Sequence, residues 1–174
     1  MGNHIRRSIL FVVAVFCAVA VAKPNEIAVP AFTIAQAYDL RAAEFTDKLA
    51  SALSRESGYT VFHHSEIAAR IDPDILTNIN IEDAVTLEQV AVNSVVGYVL
   101  AGEVDVSGDQ VTVLAKLFKA SDKSVLLSIS ESATGTIRQL DKLIPGIVAK
   151  ICAVLPPYVL SVVPESTHIK TKGK

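Results

Sequence analysis

Hydrophobic and polar positions follow two different periods along the chain, and each change of period marks a new element. The run Glu26–Phe32 is short, apolar and rich in strand-forming residues, which predicts a buried first strand with Pro30 near its end. Over Asp39–Ser57 apolar residues recur every three or four positions, as in an amphipathic helix, and Gly58 follows as a left-handed stop. Strand character returns over Tyr59–His63. This order predicts a right-handed crossover between two parallel strands.

The middle of the chain is predicted to hold a polar connection and a second helix. Residues Ile71–Val85 combine proline, asparagine and acidic side chains, so we expect a surface connection with little regular structure. Thr86 and Gln89 have the spacing of a capping box, in which each side chain satisfies a free backbone donor. The pattern predicts a helix over Leu87–Ser94 that ends by Gly97.

The second half begins with three strand patterns separated by short polar turns, which connect antiparallel neighbours. The three predicted strands are Tyr98–Val106, Gln110–Lys119 and Ser124–Ser132. A last helical pattern covers residues 136–155, with Pro145 inside it, so we expect a kink or a helix start there. Two prolines then end the pattern.

These elements predict an α/β (α+β) fold in the order β-α-β-α-β-β-β-α. The sheet is mixed and has about five strands, and the helices bury their apolar sides against it. Burial of each large aliphatic side chain contributes on the order of 1.5–3 kcal/mol. The domain occupies residues 23–157. Residues 158–174 are expected to form a C-terminal strand, Tyr158–Val163, followed by a flexible basic tail.

Residues 1–22 have the layout of a secretory signal peptide. Two arginines precede the apolar run Ile9–Val21, and Ala20 and Ala22 supply small residues for cleavage after Ala22. We therefore expect export to the periplasm or outer envelope. Two alternatives remain open: an uncleaved anchor, and lipidation at Cys17, although Phe16 stands where a lipobox has a small residue.

Composition narrows the class of protein. With 174 residues, 51% of them hydrophobic and 20% charged, the chain has room for one globular core. Cleavage after Ala22 leaves 14 basic against 18 acidic residues, a net charge of -4, which offers no footprint for nucleic acid or an anionic membrane. Of the two cysteines only Cys152 then remains, so no internal disulfide is expected.

The candidate metal sites have simpler explanations. His63 and His64 are adjacent, and adjacent strand residues point to opposite faces, so we interpret them as half-exposed residues at a strand end. The oxygen ligands of a calcium loop lie at fixed steps around a glycine, and no glycine lies between Gly58 and Gly97. We therefore predict a solvated acidic loop from the carboxylates of that stretch, which are Asp72, Asp74, Glu82, Asp83 and Glu88.

Cys152 is a weak candidate for a nucleophile. It lies on the apolar stripe between Ile151 and Leu155, where burial raises a thiol's pKa and makes it inert. The sequence contains no Gly-x-Ser-x-Gly elbow and no phosphate-cradling glycine loop. We predict that the protein is not an enzyme, with no catalytic, cofactor-binding or metal-binding residues and no cofactor.

Four phrases, in this order and spacing, carry a family resemblance. They are Ile27–Phe32, Tyr59–Phe62, Gly97–Val104 and Asp122–Leu127. The layout resembles the domain shared by the amino-terminal part of TolB, the curli-secretion lipoprotein CsgG and the penicillin-binding protein activator LpoB. That resemblance implies a binding or scaffold module on the periplasmic face of the envelope, without a known catalytic set. His63 and His64 depart from it, because many relatives carry a polar or arginine-containing phrase there.

Within that group, an activator-like protein remains after the curli channel and TolB are excluded. The curli channel needs long membrane-crossing hairpins, and TolB needs a propeller, and the chain has room for neither. We predict an accessory protein that binds another, unidentified envelope protein, with no nucleic acid, and that associates with a membrane only through an uncleaved or lipidated N-terminus. Alternatives are a periplasmic small-ligand module, with a cleft after the first strand, and a structural component of an envelope assembly.

The predicted interaction surface is an exposed edge of the sheet. Strands of a meander leave unpaired backbone groups to which a partner's strand can add. The alternative is that Lys116, Lys119 and Lys123 guard that edge against such pairing.

Overall fold

The computed structural model describes residues 23–34 and 39–157. The predicted signal peptide and the predicted C-terminal strand and tail lie outside these residues. Six strands are described: β1 Lys23–Ala28, β2 Thr33–Ile34, β3 Thr60–Phe62, β4 Val96–Ser107, β5 Gln110–Lys119 and β6 Ser124–Thr134. The α-helices are α1 Asp39–Ser57, α2 His64–Ala68, α3 Pro73–Thr77, α4 Ala84–Ser94 and α5 Ile144–Val154, and a 3-10 helix covers Ile137–Leu143. Among the described residues, no helix is long and apolar enough to span a membrane.

All six strands belong to one mixed sheet, in the order β3-β1-β4-β5-β6, with β2 beside β4. β1 runs parallel to β3 and to β4, whereas β4, β5 and β6 form an antiparallel meander. The predicted mixed sheet, parallel first strands and meander are confirmed. The sixth strand arises because the chain leaves the sheet after Ala28 and rejoins it at Thr33, so the first strand ends short of Phe32 and Pro30 lies outside it.

The first helix has the predicted bounds, because its start and end depend on local sequence. Gly58 follows it with a φ of 72°, in the left-handed region where a glycine carries no steric cost. Its apolar side packs Phe45, Leu49 and Leu53 against the sheet with no exposed surface. α5 and the 3-10 helix cover the same face of the sheet, which buries the larger of the two cores.

The opposite face is covered by the short helices and α4, over a smaller core that includes Phe118. One of these helices, α3, lies where we predicted little regular structure. The side chain of Asp72 accepts a hydrogen bond from the amide of Asp74 at 2.9 Å, and Pro73 occupies the first turn. An N-cap followed by proline is a standard helix start, and that signal outweighs the polar composition of the segment.

The predicted capping box of the second helix is wrong. α4 begins at Ala84, and the carboxylate of Asp83 caps it by accepting from the amide of Val85 at 2.9 Å. The Thr86 hydroxyl instead bonds backbone carbonyl oxygens, including that of Asn80 at 2.9 Å. The last residue of α4 is Ser94, as predicted. The chain leaves the helix at Val95, which has a φ of 60°, and Gly97 lies within β4.

The last helical pattern divides into two parts. The 3-10 helix precedes α5, and Pro145 lies in the first turn of α5, where its missing N–H has no partner to lose. Pro145 therefore marks a helix start, one of the two predicted outcomes.

Candidate functional site

The free edge of β6 is the longest unpaired strand edge in the described structure. β6 lies at the end of the sheet and pairs with β5 alone, whereas the strand at the opposite end, β3, has three residues. Leu117 pairs with Leu127 and Phe118 with Val125, so Leu126 forms a bulge. From Leu127 to Thr134 the pairing with β5 is regular, and the outer backbone groups of this run are available to another strand.

The side chains of β6 separate by face. Leu127, Ile129 and Ala133 pack towards the core under α5. Glu131 is the single charged residue of the strand, and its Oε1 lies 2.5 Å from Lys150 Nζ of α5. On the opposite face the exposed positions are Ser128, Ser130, Ser132 and Thr134. Because Lys150 pairs with the strand's one charge, the edge has no unpaired charge, and small hydroxyl side chains line its accessible face.

The face that carries these hydroxyl groups is left partly open, and we call it the open face. It comprises the row Ser128, Ser130, Ser132 and Thr134 together with Thr112, Leu114 and Lys116 of β5, which are paired with that row. The hydroxyls of Thr112 and Ser132 are 2.9 Å apart. Leu114 is half-buried, so the open face has little apolar surface, and its hydroxyl groups are available for hydrogen bonds with a partner.

Two shallow depressions meet on the open face at Leu114. One, of about 250 Å³, lies between Ile81 and Glu82 on one side and Ser128 and Ser130 on the other. The second, of about 520 Å³, is lined by β2 together with Glu103, Asp105 and Leu114.

The two histidines do not lie on a strand, which corrects our interpretation. His63 caps α2 and His64 is its first residue. His64 Nδ1 accepts a hydrogen bond from the amide of Ala31 at 3.2 Å, and His63 Nδ1 lies 3.4 Å from Asp47 Oδ1. The two rings therefore contact different parts of the fold: the His64 ring contacts the loop after β1, and the His63 ring contacts α1. Within residues 23–34 and 39–157 no group of three or more His, Cys, Asp or Glu is arranged to hold a metal ion.

The acidic residues of the 72–88 stretch include two helix caps and two members of ion pairs. Asp72 and Asp83 cap helices, as described above. Glu82 Oε2 lies 2.7 Å from Lys116 Nζ, and Glu88 Oε1 lies 2.6 Å from Lys123 Nζ. These pairs connect the segment around α4 to the meander, so two of the five carboxylates link parts of the fold that the sequence separates widely.

Cys152 is half-buried on α5. Burial raises the pKa of its thiol, and the negative charge of Glu56 raises the pKa further. Both effects keep the thiol protonated near neutral pH and disfavour a role as nucleophile. The absence of catalytic and cofactor-binding residues stays a prediction.

The hypothesis that lysines guard the sheet edge is wrong for two of the three. Lys116 and Lys119 lie on β5, which is paired on both sides. Lys123 lies in the turn that precedes β6 and is directed to Glu88 of α4. The sequence could not show this, because it does not say which meander strand lies outermost.

The loop after β1, where a ligand cleft was an alternative, is held by a buried threonine of α1 that we did not predict to have this role. The amide of Phe32 donates to the Thr46 hydroxyl at 3.1 Å, and that hydroxyl donates to the Ala42 carbonyl oxygen at 2.8 Å. Thr46 has no exposed surface. The sequence did contain a signal for this contact. Thr46 lies on the apolar side of α1, where a polar side chain needs a buried hydrogen-bond partner. The small-ligand hypothesis itself stays a prediction.

No protein-family model matches the chain, and no curated protein matches it. Solved structures do share its fold. The LpoB C-terminal domain from Escherichia coli has a TM-score of 0.50 at 17% identity, covering 66% of this chain and 85% of that chain. The LpoB C-terminal domain from Salmonella enterica has the same TM-score and coverage at 13% identity. The hypothetical protein CT253 from Chlamydia trachomatis has a TM-score of 0.51 at 15% identity, covering 75% of this chain and 98% of that chain. The predicted resemblance to LpoB is confirmed at the level of the fold.

Proposed function

We propose that this protein is an exported, non-catalytic accessory protein of the bacterial cell envelope that binds another envelope protein through the free edge of β6. In the finer form of the proposal it acts in the manner of a penicillin-binding protein activator. Residues 1–22 are a signal peptide cleaved after Ala22, residues 23–157 are the binding domain, and residues 158–174 are an appendage to it.

The observation that carries the proposal is the edge itself. Over eight residues of regular strand, the N–H and C=O groups of every second residue point away from β5, and the strand's one charge is neutralised by Lys150. Soluble proteins usually protect such an edge with exposed charges, proline or a covering element. Here a bulge at Leu126 and the inward Glu131 are the protective features, and they leave the outer row of serines accessible. The fold likeness to LpoB domains supports the envelope assignment.

Site-specific photo-crosslinking in living cells tests the proposal. A photoreactive amino acid replaces Ser130 on β6, and a matched variant carries it at Ser51, which is exposed on α1 at the opposite face. We expect the first variant to yield one discrete adduct with an envelope protein, and the second to yield none. Equal adducts from both positions would contradict a binding edge. Hydrolysis of a substrate panel by the purified protein, abolished by substitution of His63, His64 or Cys152, would contradict the non-catalytic role.

A further inference from the structure

The outer edge of β3 is the second unpaired strand edge in the described structure. β3 lies at the end of the sheet opposite β6 and pairs with β1 alone. The carbonyl oxygen of Phe62 accepts a hydrogen bond from the amide of Val29 at 3.1 Å, so the backbone groups of Phe62 point to β1. Those of its neighbour Val61 therefore point outwards. Val61 is 8% exposed, and buried backbone groups need a hydrogen-bond partner, which β1 does not supply here.

The end of α5 lies beside the start of β3. Tyr59 immediately precedes β3, and its hydroxyl donates a hydrogen bond to the carbonyl oxygen of Pro156 at 2.9 Å. Leu155, where the chain leaves the helix, is buried in the same core as Tyr59 and has extended backbone angles, with φ −68° and ψ 135°. The chain that follows Pro157 therefore departs from the point at which β3 begins.

The sequence that follows is typical of a strand. Residues Tyr158–Val163 read YVLSVV, with valine and tyrosine at four of the six positions and no charge. Pro157 precedes this run and Pro164 follows it, and proline is tolerated at the ends of an edge strand but disfavoured in a strand's middle. An uncharged run with five large hydrophobic side chains is stabilised by packing against the domain.

The chain topology also favours the β3 edge. β6 runs in the same direction as β1, β3 and β4, because β5 is antiparallel to both β4 and β6. α1 connects the lane of β1 to β3 over the face of the larger core, and α5 covers that same face. A strand beyond β3 would be reached from β6 over the same face and in the same direction along the sheet. The two crossovers would then have the same hand, as the rule for parallel strands requires.

We propose that Tyr158–Val163 pairs in parallel with β3 of the same chain and completes the sheet at that edge. The outward N–H and C=O groups of Val61 then bond to the added strand. Both ends of the sheet would otherwise be open to a partner's strand. With β3 covered, the β6 end is the one that the described structure leaves open for the proposed binding. The pairing at β3 does not depend on that binding.

Hydrogen exchange of single amides, measured by NMR on the full exported protein, tests the pairing. The Phe62 amide, which β1 holds, is the internal reference. We expect the Val61 amide to exchange within about tenfold of the Phe62 amide. We also expect nuclear Overhauser contacts between the Val61 amide and backbone protons of Tyr158–Val163. Exchange of Val61 at the rate of an unprotected amide, or the lack of these contacts, would overturn the inference.

Proline substitutions provide matched variants. Adjacent N–H groups of a strand point to opposite sides, so one of Leu160→Pro and Ser161→Pro removes a donor to β3 and the other does not. One of the two should therefore accelerate exchange of the Val61 amide at least about tenfold, and the other should have a smaller effect. Thr167→Pro, beyond the run, is the control and should change the rate less than about twofold. Unchanged exchange in both variants, or an equal acceleration by Thr167→Pro, would contradict the pairing.

The identity of the paired copy is tested separately. Light scattering should show a monomer. A dimer in which the Overhauser contacts join a labelled chain to an unlabelled one would assign the β3 edge to a second copy and overturn pairing within the chain. The Ser130 photo-crosslink reports on β6 and the Val61 amide reports on β3, so the proposed function and this inference can fail independently.

Discussion

The ring of Phe32 lies directly against the Cα of Gly102 in the middle of β4. A β-carbon at Gly102 would fall far inside the contact distance of Phe32 Cε1 and would lie 2.6 Å from the carbonyl oxygen of Leu114. Gly97, at the start of the same strand, makes a similar approach: a β-carbon there would lie 2.8 Å from the Lys23 carbonyl oxygen. The two glycines of the phrase Gly97–Val104 are thus explained by close packing of the first strand and its loop.

Gly102→Ala should destabilise the protein by about 1–3 kcal/mol, because the added methyl group must displace the Phe32 ring from its edge-to-face contact with Phe45. Urea unfolding measures the change. Gly146→Ala is the control, since the nearest atom to the new methyl group on α5 would be Glu131 Oε1 at 3.4 Å, at the limit of ordinary contact, and helices favour alanine. A stability within about 0.5 kcal/mol of wild type for Gly102→Ala would show that the contact does not constrain the fold.

Thr46→Val should cost about 1–3 kcal/mol, because it leaves the buried amide of Phe32 without its acceptor while preserving the shape of the side chain. Thr46→Ser keeps the hydroxyl and should retain most of the stability. The two variants are compared by thermal unfolding monitored by circular dichroism. Equal losses in both would assign the effect to packing and not to the hydrogen bond.

The carboxylate of Glu44 should titrate at a lower pH than an ordinary glutamate. The hydrogen bond from Lys48 lowers the pKa of Glu44, with the charge of Arg41 as the next cause. Its stabilising contribution is therefore complete above the unfolded value of about 4.3 and is lost as the pH falls through the lower folded pKa. NMR titration of the carboxyl carbon measures the midpoint.

Lys48→Met should raise that midpoint towards the ordinary value for glutamate. It should also release Asp141, whose Oδ2 lies 2.6 Å from Lys48 Nζ and joins the 3-10 helix to α1. Lys142→Met, at an exposed lysine outside this group, is the control. An unchanged Glu44 midpoint in Lys48→Met would contradict the assigned cause.

Alkylation of Cys152 should require a more alkaline pH than alkylation of a cysteine in a short peptide, because burial raises the pKa of the thiol. Iodoacetamide labelling across a pH series, resolved by peptide mass spectrometry, gives the midpoint, which we expect to lie above that of the peptide cysteine. Glu56→Gln should lower it in part, since the charge of Glu56 is the smaller cause. A midpoint at or below the peptide value would contradict the assignment.

Elements whose signals are local could be predicted closely. α1 has the predicted bounds because helical periodicity and the left-handed Gly58 both depend on neighbouring residues. β5 also has the predicted bounds, Gln110–Lys119, because a short turn delimits it at each end. Where two local signals competed, prediction failed: Asp83 and Thr86 could each begin α4, and the sequence does not rank them.

Periodicity and short turns were sufficient to predict the class of fold, the parallel first strands and the antiparallel meander, because these features depend on residues close together in the chain. The position of β6 at the edge of the sheet, and the groups that meet there, depend on how the whole domain packs and were visible only in the folded protein. Glu88 and Lys123 are far apart in the chain, and the packing of α4 beside the meander brings Glu88 Oε1 to 2.6 Å from Lys123 Nζ. Such long-range pairing depends on the packing of the whole sheet and has no local signal.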